Sequence, residues 1–371
     1  MRFIPQKLYL QIIIFLIAAN AHAQEPWPSP EVEQMYRHAR EYMAAGNLKD
    51  AAITFKQAII LAPGNMILYK ELGNAQYLSG NFSDAEQTLS SLQNSKDADE
   101  ECFQLLAASQ AAQKKMKDAK KTLHAGLSRF AASGLLYNET GNEYTLKNDH
   151  KAALNAWLDG IENAPGYPQN YYSAALVYLN SEKVFWGLMY GELFLVMKPV
   201  SPSNRNDTVQ DEQLKKMLFA GYKKMFDNIG SSEAPQYGRV KAGQDATTFE
   251  AAVLKIYTTL TPVVSDGVTA ENLTMVRTRF LMDWFSEYGS KYPFSLFSYQ
   301  DELARNGKFD IYNEWIFGKA ENEVQYDAWN NFHEGDIVRF LQWEAKHIVV
   351  PKAGAFYNER DMKGLFDKKK K

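Results

Sequence analysis

The residues best suited to chemistry gather near the C-terminal end of the chain: His333, Glu334, Asp336 and His347. Imidazoles beside carboxylates can hold a metal or relay a proton. A helical zinc site needs two histidines four residues apart with an acid between them, whereas His333 and His347 are fourteen apart. No glycine-rich phosphate loop, G-x-S-x-G elbow or cysteine pair occurs anywhere in the chain. Trp284, Trp315, Trp329 and Trp343 suit stacking on sugar rings, but they suit core packing better. Cys102, the only cysteine, falls early in a predicted helix beside Phe103 and Leu106 and reads as a small buried hydrophobe. These residues point to a binding protein rather than an enzyme, with no catalytic, metal or cofactor site.

Any binding residues are positioned by a repeat. From residue 31 to 202 the chain repeats at a 34-residue interval, seen in Gly46/Ala51, Gly80/Ala85, Lys114/Ala119, Asn148/Ala153 and Glu182/Gly187. Pro63, Pro165 and Pro199 close three of the units at one internal position. With units counted from Val32, Met66, Glu100, Gly134 and Pro168, the fourth position is Met35, Tyr69, Phe103, Tyr137 and Tyr171. The eighth is small in Gly73, Ala107, Gly141 and Ala175, which lets a second helix approach closely. The twenty-fourth is Phe55, Leu89, Leu123 and Trp157, then Gly191 in the last unit. Such spacings describe two amphipathic helices joined by a turn, a unit that buries its core only by stacking on neighbours. Gly46-Asn47 and Gly80-Asn81 suit the turn, and Ser29-Pro30 suits a helix start.

The pattern resembles the tetratricopeptide repeat (TPR) family over about 170 residues. The resemblance implies an all-α, right-handed superhelix whose first helices line a concave surface that holds peptides or partner proteins. The second, fifth, ninth and twelfth positions of each unit face that groove in the family. The fifth and ninth supply the candidate contacts Tyr36, Arg40, Lys70, Asn74, Gln104, Asn138, Asn142 and Tyr172. Asparagine can clamp the backbone of an extended peptide, and tyrosine supplies rigid contact area. Some members bind a partner's C-terminal carboxylate with Lys and Asn at the fifth and ninth positions of one repeat, which Lys70 and Asn74 match. The next units place Glu101, Leu105, Leu135 and Glu139 where that clamp needs polar and basic partners, so the clamp is incomplete.

Residues 1–23 read as a secretory signal peptide, with basic Arg2 and Lys7, an apolar run from Leu8 to Ala19, and the small-x-small triplet Ala21-His22-Ala23. A proline-rich linker (24–30), the repeats (31–202), an aromatic-rich helical domain (203–366) and a basic tail (367–371) follow. Helices are predicted in the fourth segment around Leu214–Tyr222 and near 245–260, 270–289, 309–318, 321–332 and 335–347, with a loop at 230–243. Asp207-Thr208-Val209 resembles a short acidic-Thr-apolar acceptor for O-glycosylation and reads more simply as a linker or as a helix capped by Asp207. Net charge is −3, or −5 once Arg2 and Lys7 are removed, which argues against nucleic acid. The expectation is an exported, periplasmic, secreted or outer-membrane-associated scaffold that does not span the membrane and binds a protein or peptide. The alternatives are a repeat arm carrying a glycan-binding or hydrolytic C-terminal domain, and self-association.

Overall fold

A computed structural model describes residues 27–198, 207–230 and 246–360. The expected signal peptide, Pro199, Pro202, most of the 230–243 loop and the lysine tail lie outside these residues. Every regular element among the described residues is helical, so the chain is all-α. It divides into two compact units, one ending at Ala131 and one beginning at Ala132. The 34-residue period runs on into the second unit, so periodicity and packing partition the chain at different places.

The first unit holds three helix pairs: α1 (Pro30–Ala44) with α2 (Leu48–Leu61), α3 (Met66–Leu78) with α4 (Phe82–Ser90), and α5 (Glu100–Ala112) with α6 (Met116–Arg129). Ser29 caps α1 by accepting from the Val32 N–H, with Pro30 at the first helical position. Asn65 and Asp99 cap α3 and α5 in the same way, one full period apart. Between the helices of each pair the chain enters left-handed backbone, with φ of +78° at Gly46, +81° at Gly80 and +64° at Lys114. Glycine adopts this conformation freely, and Lys114 is held there by its surroundings.

The predicted core positions are buried: Ala51, Ala85 and Ala119 at the twentieth, and Phe55, Leu89 and Leu123 at the twenty-fourth. A Cβ at Gly73 would stand 2.6 Å from Leu89 Cγ, so the small eighth residue is what allows α3 and α4 to close. A polar tie also repeats. Thr88 Oγ1 donates to Gln76 Oε1 at 2.9 Å, and one period later Thr122 Oγ1 donates to Gln110 Oε1 at 2.8 Å.

The second unit begins with two further pairs, α7 (Gly134–Leu146) with α8 (His150–Asn163) and α9 (Pro168–Leu179) with α10 (Val184–Val196). Ser133 caps α7, and Asn148 takes the left-handed turn position at φ +59°. The chain continues as α11 (Val209–Gly230), α12 (Phe249–Leu260), a short 3-10 turn at Thr261–Val264, α13 (Ala270–Glu287), α14 (Ser295–Arg305), α15 (Phe309–Glu321), α16 (Glu323–Phe332) and α17 (Glu334–Glu344). Helix α14 is an addition to the predicted set. Thr208, not Asp207, forms the cap box of α11: the Asp211 N–H donates to Thr208 Oγ1 at 3.2 Å, and the Thr208 N–H donates back to Asp211 Oδ2 at 2.9 Å. Asp207 instead accepts from Lys215 Nζ at 2.5 Å and from Trp315 Nε1 at 3.1 Å.

Helix α10 is buried along its whole length, unlike the second helices of the earlier pairs. Gly191 at its twenty-fourth repeat position is small because α11 fills the space. A Cβ there would lie 2.8 Å from Leu218 Cδ2 and 3.3 Å from Leu214 Cδ1. Repeats four and five therefore share one aromatic core with the helices that follow, including Tyr171, Tyr190, Tyr222, Tyr257, Phe280 and Trp284.

Candidate functional site

Most of the candidate contacts of the first unit converge on one polar face. Arg40 on α1 donates to Glu71 Oε1 on α3 at 2.7 Å. Lys70 donates to Asp99 Oδ2 at 2.6 Å and to Glu101 Oε2 at 2.7 Å, tying α3 to α5. Burial opposes the charge on Lys70, but the two carboxylates outweigh it and hold the ammonium above its usual range. Tyr36 is half-buried, with its ring 4.6 Å from Trp27 and 6.2 Å from Phe55. Gln104 is half-buried one helical turn beyond Glu101.

Asn74, expected beside Lys70 in a clamp, keeps a buried Oδ1 with no hydrogen-bond partner, as does Glu71 with its Oε2. Burial raises the Glu71 carboxyl against the pull of Arg40 and Lys70. Burial also pushes the Cys102 thiol up to about 12, with Asp99 adding to it, which suits a packing role.

In the second unit Asn142 Nδ2 donates to Asn138 Oδ1 at 3.4 Å, and Asn138 Nδ2 donates to Ser173 Oγ at 3.2 Å. This neutral ladder joins α7 to α9. The ring of Tyr172 lies 4.9 Å from Phe194, which ties that candidate contact to α10.

The residue types that first suggested chemistry are dispersed. His333 contacts Asp336 at 3.3 Å and stacks on Trp329, while His347 stacks on Trp343 and contacts Glu302 at 3.5 Å. Among the described residues no group of three or more His, Cys, Asp or Glu is placed to hold a metal. Trp284 and Trp315 are core residues, and Trp329 and Trp343 are half-buried.

Sequence reasoning missed a buried polar centre on α10. Glu192, fully buried, accepts from Tyr222 Oη at 2.8 Å, Gln300 Nε2 at 3.0 Å, Tyr312 Oη at 3.0 Å and Arg277. The Arg277 guanidinium also donates to Asn313 and lies over the Phe317 ring at 5.0 Å. Five helices meet at this ion pair, and its full burial makes it a structural tie rather than a ligand site. A lone glutamate in the apolar run of α10 and a lone arginine among the core positions of α13 were the available signals.

An extended segment after α17 covers part of the same unit. The Val349 N–H donates to the Val196 carbonyl at 3.3 Å. The Tyr357 and Glu359 carbonyls accept from Tyr190 Oη at 3.1 Å and Tyr178 Oη at 2.8 Å. Tyr357 stacks on Phe249 at 4.3 Å, and Arg360 pairs with Asp159 and Glu162 on α8. No helix among the described residues is long and apolar enough to cross a membrane.

A family model described as tetratricopeptide repeat matches residues 42–109. Among solved structures, a thermophilic TPR protein of Thermus thermophilus is 15% identical, with 50% of this chain and 98% of that chain covered at a TM-score of 0.42. MamA from Desulfovibrio magneticus is 11% identical, with 45% and 94% covered at a TM-score of 0.36. Human IFIT1, a dimer with PPP-AAAA, is 15% identical, with 78% and 62% covered at a TM-score of 0.36. At these TM-scores none of the likenesses bears on the partner of this chain. A search of the curated proteins finds no match. The match at residues 42–109 coincides with the helix pairs built on the 34-residue period, and the chain therefore carries a tetratricopeptide-repeat region.

Proposed function

We propose that this protein is an exported scaffold that holds a polypeptide partner on the first-helix face of its repeats. The observation that carries the reading is the polar face on α1, α3 and α5, set above a core of small and apolar residues that the repeat dictates. A core made by stacking leaves the outward positions free to specialise for a partner. Export rests on the signal-peptide pattern of residues 1–23, and a periplasmic setting follows from it. Catalysis and nucleic acid have no part in the reading, whose partner is a protein.

The test is site-specific photo-crosslinking in the native cell envelope. A photoreactive residue at Gln104 or Asn142 is expected to trap a protein, and one at the exposed Ile60 of α2 is not. Equal labelling at all three positions, or none at Gln104 and Asn142, overturns the proposal. Immunoblotting of the fractionated envelope tests the location, with recovery in the cytoplasm counting against export.

A further inference from the structure

We infer that the face shared by α1, α3 and α5 receives a lysine or arginine side chain of an extended polypeptide, rather than the C-terminal carboxylate that Lys70 and Asn74 suggest. The inference rests on the scaffold reading and gives it a ligand class.

Three observations converge on it. First, the cations are already engaged. Arg40 serves Glu71, and the Lys70 ammonium is shared between Asp99 and Glu101. An arriving carboxylate must displace one of these acids and then sit beside the others. Second, the cluster carries three carboxylates against two cations, an excess of one negative charge (2 − 3 = −1), and the acids on its rim, Asp99 and Glu101, are about half exposed. Third, the unmet hydrogen-bonding capacity is all acceptor. Glu71 is nine-tenths buried, and its Oε2 and Asn74 Oδ1, one helical turn apart on α3, lack any donor.

Buried acceptors call for N–H donors, and ammonium or guanidinium groups supply several at once. Access requires the Arg40 side chain, about one-third exposed, to rotate outward from Glu71. Tyr36 and Trp27, with ring centroids 4.6 Å apart, add aromatic faces on which a cation can rest. Burial raises the Glu71 carboxyl, and a bound cation opposes that rise in the same sense as Arg40 and Lys70.

The test uses the full chain without its signal segment and three labelled peptides, followed by fluorescence anisotropy at low ionic strength. The first is the capped peptide Ac-Gly-Arg-Ala-Arg-Gly-amide. The second replaces arginine by neutral citrulline. The third is Ac-Gly-Ala-Ala-Ala-Gly with a free carboxylate. The arginine peptide is expected to bind at least about tenfold tighter than either, the scale of one charge-assisted hydrogen bond. Glu71→Gln and the more exposed Glu101→Gln are each expected to weaken it by roughly fivefold or more, with the fold checked by circular dichroism.

Arginine-peptide binding that neither variant changes overturns the assignment. Tighter binding of the free-carboxylate peptide, lost in Lys70→Ala, also overturns it while leaving the scaffold reading intact. If no peptide binds and crosslinking at Gln104 is empty, both readings fall.

Discussion

The first three helix pairs and the fifth pair have the same period and opposite fates. In α1 to α6 the core alternates alanines with a few large side chains, such as Phe55, Leu68, Leu72, Leu89, Phe103, Leu106 and Leu123. The second helices keep an exposed outer side, as Ile53 and Ile60 on α2 show. In α9 and α10 the same spacing is overlaid by aromatics, and no residue of α10 stays on the surface. A repeat can therefore be kept as a register while its surfaces are reassigned. The first unit spends its polar residues on the face above the core, and the second buries its most charged pair, Glu192 and Arg277, where five helices meet.

The largest test of this contrast is to remove one member of the buried pair. Glu192→Ala leaves Arg277 uncompensated and should cost about 3–5 kcal/mol. Urea unfolding followed by tryptophan fluorescence reports it selectively, because of the seven tryptophans only Trp27 lies in the first unit. The double change Glu192→Leu/Arg277→Met should recover most of the loss. If Glu192→Ala is neutral, the pair does not tie these helices.

A smaller effect is expected from restoring the large twenty-fourth residue of the fifth repeat. Gly191→Leu moves the sequence toward the other units yet collides with Leu218 and Leu214, and should destabilise the second unit by about 1–3 kcal/mol. Stabilisation would show that α11 does not replace that side chain.

The next effect depends on pH. Burial raises the Glu250 carboxyl from its ordinary 4.5 to about 7, against a hydrogen bond from Trp186 and the charge of Lys183, and with nearby Glu359 adding to the rise. The folded chain thus holds this proton where the unfolded chain has released it. The contribution is fully present below pH 4.5 and is lost as pH rises to about 7. Thermal melts of the parent should fall across that window, and those of Glu250→Gln should fall less. Parallel curves would refute the assignment.

The smallest expected change is a gain. Lys114→Gly relieves left-handed backbone and should stabilise the first unit by at most about 1 kcal/mol, since glycine also loosens the unfolded chain. Hydrogen exchange in α5 and α6 would detect it.

Much of the repeat was legible because its signals are local. Gly46, Gly80, Lys114 and Asn148 mark turns wherever the backbone must become left-handed, and Ser29-Pro30 announces α1 within two residues. Helix α14 was not legible in this way. It follows Pro293, and its start at Phe294 offers no side-chain cap, although Leu296, Tyr299, Gln300 and Leu303 carry helical spacing. Tertiary pairing was hidden more deeply. Lys70 and Asn74 fit a carboxylate clamp by position, but only the neighbouring helix shows that Asp99 and Glu101 have taken the lysine. Glu192 finds Arg277 from 85 residues away, a distance over which periodicity carries no information.

The burial of α10 also gives the array a direction of growth. Duplicating a 34-residue unit within the first three pairs adds a helix pair whose faces match its neighbours, so reach can be lengthened in modular steps. Inserting one after the fifth pair would have to pry α11 from Gly191 and open the Glu192 centre. Lineages of this protein should accordingly gain and lose repeats near the N-terminal side of the array, while the last repeat is inherited together with the helices that seal it.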